Sequence, residues 1–141
     1  MVIILKKTLI LSLFIVVLSL VILLSISSCS DTEKYYFTGK NNGENVDLNV
    51  GDIINLRLDS NITTGYSWEL SETTDTEIIS LESSLYENSQ ENEDIVGAGG
   101  AELFSFRAIS AGQTDLILEY IRPWEEGMEP ADSFTLKITV R

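Results

Sequence analysis

No histidine occurs anywhere in the 141-residue chain. Histidine is the usual general base of serine and cysteine hydrolases and the commonest zinc ligand, so its absence argues against both chemistries. There is a single cysteine, Cys29, and no intramolecular disulfide can form. No phosphate-binding glycine loop, CxxC pair or HExxH helix is present. Glu93 and Asp94 lack the spaced oxygen ligands and the glycine of an EF-hand loop, so no metal and no cofactor are expected. Carboxylates such as Glu91, Glu125 and Glu126 could in principle pair as in a glycosidase. The sequence gives no separation in space, so such pairs carry almost no information, and the chain does not read as an enzyme. Basic residues are also scarce, nine against 22 acidic ones for a net charge of −13. That sign repels phosphate backbones and disfavours nucleic-acid binding, so no nucleic-acid partner is expected. Most of the charge serves the solubility of an exposed surface.

The apolar content is concentrated at the start. Lys6 and Lys7 precede an uncharged run from Thr8 to Ile26, which ends in Ser27, Ser28 and Cys29. This is the layout of a secretory signal. Ile26-Ser27-Ser28-Cys29 resembles a lipobox, in which Cys29 is lipidated and becomes the first mature residue. An uncleaved membrane helix is the alternative, since roughly 20 apolar residues cross a bilayer. Either reading makes the membrane a partner, through a lipid anchor or an N-terminal helix, and places residues 30–141 outside the cytoplasm, at the cell surface or in the periplasm. Without Lys6 and Lys7, seven basic residues face 22 acidic ones, a net of −15. The chain thus divides into a signal segment (1–29), a polar tether (30–40) and one domain (41–141).

Short alternating runs fill that domain: 46–50, 53–58, 66–70, 78–86, 102–108, 115–121 and 133–140. In the last, Phe134, Leu136, Ile138 and Val140 share one face and Thr135, Lys137 and Thr139 the other, the period of a half-buried strand. No helical stripe and no internal repeat is present. The fold class is all-β, an immunoglobulin-like antiparallel β-sandwich of about seven strands. The charged run "ENSQENED" at 87–94 reads as a solvated loop. The loops after the second, fourth and sixth runs are chemically distinctive: "NITTG", "GAGG" and "RPWEEG". Connections of one parity emerge at one end of such a sandwich, so the three can form one surface.

In this order "NITTGYSW", "GAGG" and "RPW" resemble the chagasin family of cysteine peptidase inhibitors, whose motifs are NPTTG followed by an aromatic and a Trp, then GxGG, then RPW. The resemblance implies a reversible proteinaceous inhibitor that blocks the active-site cleft of papain-like cysteine peptidases with three loops. Carried over, Asn61, Thr63, Thr64 and Gly65 form the central wedge, with Ile62 where the family has Pro. Gly97, Gly99 and Gly100 flank it on one side, and Arg122, Pro123 and Trp124 on the other. The residue types suit such roles. Threonine is stiff at χ1, glycine lets backbone approach closely, and Arg and Trp dominate interface energetics.

Each residue also has a plainer reading. Gly65 can serve a turn needing positive φ, and Trp68 reads as core with Tyr66 as its support. Arg122 can pair with Glu125 or Glu126, and Trp124 can cap the sandwich. An immunoglobulin-like adhesion or ligand-binding lipoprotein without inhibitory activity is the alternative function. Ile62 restricts the loop less than Pro, and it creates the glycosylation sequon Asn61-Ile62-Thr63.

Overall fold

A computed structural model describes residues 31–88, 99–125 and 127–141. Among the described residues, eight strands form where apolar residues fall at every second position. Strand β1 spans Lys34–Thr38, β2 Asn45–Leu48, β3 Ile53–Ser60, β4 Ser67–Leu70, β5 Ile79–Asn88, β6 Gly100–Ala108, β7 Gly112–Ile121 and β8 Asp132–Val140. Ile54, Leu56 and Leu58 of β3, Phe104, Phe106 and Ala108 of β6, and Leu116 and Leu118 of β7 all point inward. Phe134, Leu136, Ile138 and Val140 do so in β8. Together with Val46, Leu48, Trp68 and Ile79 they make one apolar cluster. Each fully buried large side chain contributes about 1.5–3 kcal/mol.

The strands form two four-stranded sheets, β1-β3-β6-β5 and β2-β8-β7-β4. The core draws on both, and the fold is an immunoglobulin-like β-sandwich. Two edge pairings are parallel, β1 with β3 and β2 with β8, and the rest are antiparallel. A single alternation explains both kinds. Odd-numbered strands run one way and even-numbered strands the other. Strands of equal parity are therefore parallel where they meet, and every connection from an odd to an even strand emerges at the same pole. That pole carries the links after β1, β3, β5 and β7. The opposite pole carries the links after β2, β4 and β6.

The strand count exceeds the seven read from the sequence because Lys34–Thr38, assigned there to the tether, pairs with Ile53–Arg57. Tyr35 and Phe37 of this segment are half-buried against the core. The strand is short and its partner lies in a different part of the chain, so the local pattern is weak. The signal segment and its Cys29 lie outside the described residues.

Candidate functional site

The described ends of the distinctive loops share one pole. Register fixes this: Ser60 at the end of β3 is opposite Gly100 at the start of β6, and Asn88 at the end of β5 is opposite Gly100 as well. In the other sheet Ser67 at the start of β4 is opposite Ile121 at the end of β7. The link 61–66 therefore crosses from one sheet to the other, between the ends of the other two.

This link is shaped by its own hydrogen bonds. Ile62–Thr64 form a single 3₁₀ turn with Asn61 at its N-cap. The Asn61 Oδ1 accepts from the Thr63 N–H at 3.1 Å and from the Thr63 hydroxyl at 2.6 Å. The Thr64 hydroxyl donates to the Asn61 carbonyl at 2.6 Å. Thr64 N–H bonds Asn61 O and Gly65 N–H bonds Ile62 O, and Gly65 closes the turn at φ 83°. Asn and Gly are the residue types that such a cap and such a left-handed terminus favour. Asn61 therefore acts as the organiser of the turn, with Ile62, Thr63 and Thr64 exposed at its tip. Ile62 occupies the first turn position, where proline is well accommodated.

The third loop leans on the first. A Cβ built on Gly65 would lie 2.5 Å from Trp124 Cη2 and 2.7 Å from Cζ2, so the indole covers Gly65 while 66 % of Trp124 stays exposed. Arg122 places its guanidinium 4.5 Å above the Tyr66 ring and bonds Glu125 Oε1 at 3.0 Å. Its Nε is buried without a hydrogen-bond partner among the described residues. Tyr66 stacks on Tyr120 at 5.2 Å, and Tyr120 meets Trp68 at 5.0 Å. Offset ring pairs at this distance add to burial energy. Trp68 is core, as the sequence indicates, and its indole N–H donates to the Asp59 carbonyl at 3.0 Å. Pro123 lies between Arg122 and Trp124 on an exposed turn.

Of the glycine loop, Gly99 lies near the Ser60 carbonyl. Gly100 already belongs to β6, and a Cβ there would collide with the Glu87 carbonyl and the Tyr86 ring. Its lack of a side chain is thus required by strand pairing. Gly97 lies outside the described residues.

Three residues not singled out from the sequence hold the turn 61–65 in place. Tyr120 Oη accepts from the Asn61 N–H at 3.0 Å. The Ser60 hydroxyl donates to Glu102 Oε1 at 2.6 Å, and the Trp68 N–H reaches the same carboxylate at 3.2 and 3.3 Å. One signal for them was present. Ser60, Glu102 and Tyr120 each fall in the apolar phase of their strand, at its loop end, where a hydrocarbon side chain would be expected.

The Chagasin family peptidase inhibitor I42 matches residues 47–138. Amoebiasin-2 of Entamoeba histolytica is 29 % identical over 107 residues, covering 76 % of this chain and 85 % of its own. Chagasin of Trypanosoma cruzi is 28 % identical over 103 residues, covering 70 % and 91 %. The crystal structure of the cysteine protease inhibitor EhICP2 from Entamoeba histolytica superposes with a TM-score of 0.70 at 26 % identity, covering 79 % of this chain and 98 % of that one. The solution structure of Amebosin gives 0.62 at 28 %, covering 76 % and 98 %. The motifs, the shared pole of the loops and these matches agree: the chain belongs to the chagasin family of peptidase inhibitors.

Proposed function

We propose that the domain inhibits papain-like cysteine peptidases reversibly, by seating the loop pole in the active-site cleft. The observation that carries this reading is the pre-assembly of that pole. The turn 61–65 holds its own shape through Asn61, and Trp124 of the third loop is already packed on Gly65. A surface ordered before binding loses less conformational entropy on docking.

In this reading Thr63, Thr64 and Gly65 enter the cleft, shaped by Asn61 and with Ile62 at the rim. Both threonine hydroxyls are engaged within the turn, so the tip presents mainly methyl groups and backbone. The tight turn offers the enzyme no extended peptide bond to attack. Gly99 and Gly100 line one flank, and Arg122, Pro123 and Trp124 the other, where the exposed indole supplies apolar contact area. Lipidation of Cys29, or retention of the N-terminal helix, would display the inhibitor outside the cytoplasm.

Titration of papain and of a cathepsin L-like enzyme with residues 31–141 tests the function. Stoichiometric or near-stoichiometric loss of activity is expected. Full activity of both enzymes at micromolar excess would overturn the proposal. Thr64→Arg, which puts a long charged chain at the tip, should abolish inhibition with the far-UV spectrum unchanged.

A further inference from the structure

We propose that Glu102 is the positioning residue that sets the wedge on the sandwich, an inference that rests on the inhibitory reading of the loop pole. The wedge has two separable needs: a shape, which Asn61 supplies, and a fixed placement between the two sheets. Glu102 meets the second. It continues the inward series Phe104, Phe106 and Ala108 of β6, is only 7 % exposed, and makes no ion pair among the described residues.

Its carboxylate accepts from the Ser60 hydroxyl and from the Trp68 N–H. Ser60 is the last residue of β3 in one sheet, and Trp68 is the second residue of β4 in the other. These are the two feet of the link that carries the wedge. Strand β4 is an edge with β7 on one side only, and the Trp68 N–H is directed to Glu102 instead of the ladder. A carboxylate is acceptor-only and takes several donors at once, and bonds to an ionised acceptor are stronger than neutral ones. A glutamine in its place would turn an N–H₂ group toward one of those donors. A hydrocarbon would leave a buried N–H and a buried O–H unpaired.

The full-length chain in nonionic detergent is compared with Glu102→Gln and Ser60→Ala by papain titration, by thermal melting and by amide hydrogen exchange. With Glu102→Gln the inhibition constant should rise roughly tenfold to hundredfold, the loss of hydrogen bonds to a charged group, mainly through faster dissociation. Exchange at the Trp68, Thr64 and Gly65 amides should accelerate, while the β7 and β8 amides keep their protection. A role in stability alone would lower the melting temperature and leave the inhibition constant of the folded protein and the exchange at Thr64 and Gly65 unchanged, and that result overturns the proposal. If Glu102→Gln does not fold, Ser60→Ala, which removes one donor only, decides: weaker inhibition supports the clamp and an unchanged constant overturns it. Should the parent chain not inhibit papain, the inhibitory reading fails, and the exchange at Thr64 and Gly65 still decides whether Glu102 holds the turn.

Discussion

At Gly65 the backbone stands at φ 83° and the Trp124 ring occupies the space a side chain would need. Gly65→Ala should therefore cost about 1–2 kcal/mol in backbone strain and push the Trp124 ring aside, loosening the third loop with the first. Inhibition constants for Gly65→Ala, Trp124→Ala and the double variant form a cycle that measures this contact. The double variant should lose less than the two single losses combined, because removing the indole relieves the clash. Full additivity would show that the loops act independently. At the neighbouring position the first-turn geometry gives Ile62→Pro a defined outcome. Proline there pre-sets φ, and no backbone hydrogen bond from the Ile62 N–H is made among the described residues. The free loop loses conformational freedom, which should tighten inhibition by roughly twofold to fivefold, or about 0.4–1 kcal/mol. The same change removes the sequon, so in a glycosylating host the gain over the parent would be larger.

Among the elements, β1 and the link 61–66 show what local pattern can and cannot reveal. Strand β8 is plain in the sequence, since four apolar residues alternate with polar ones over its length. Strand β1 alternates too, through Tyr35 and Phe37, but over five residues beside charged Lys34, and its parallel partner begins nearly twenty positions later. Its role should be in stability alone. Tyr35→Ser with Phe37→Ser should cost about 2–4 kcal/mol of apolar burial and lower the melting temperature by several degrees. Papain inhibition by the folded protein should not change, because Thr38 at the end of β1 turns its N–H and hydroxyl to Asn41 of the following turn. A weakened inhibition constant would mean that β1 helps to position the loops. The three motifs were legible as residue types in order, and so were the shared pole, which follows from strand parity, and the core role of Trp68. The clamp was not. Glu102 lies 42 positions from Ser60 at the foot of the link and Tyr120 lies 59 from Asn61 within it, and no periodicity spans such distances. Only their polar character in an apolar phase marked them.

On the scale of the whole domain, the alternation of strand direction separates two ends with different tasks. Glu33, whose N–H bonds the buried Asp52 carboxylate and whose carbonyl accepts from the Ile53 N–H, is held at the pole opposite the turn 61–65. Between that pole and the tip runs the length of β3, eight residues or roughly 26 Å at about 3.3 Å per residue. The N-terminal end of the described domain therefore lies away from the surface proposed to meet the peptidase. Residues 31–141 biotinylated at the N-terminus and captured on streptavidin beads should thus inhibit papain with the constant of the free domain. A comparable attachment at Gly127 of the third loop should abolish inhibition, because Gly127 shares a groove with Arg122 and Pro123. If capture through residue 31 blocked inhibition and attachment at Gly127 did not, the peptidase would have to bind the opposite pole. The wedge, its clamp and the covering indole would then be features of folding alone.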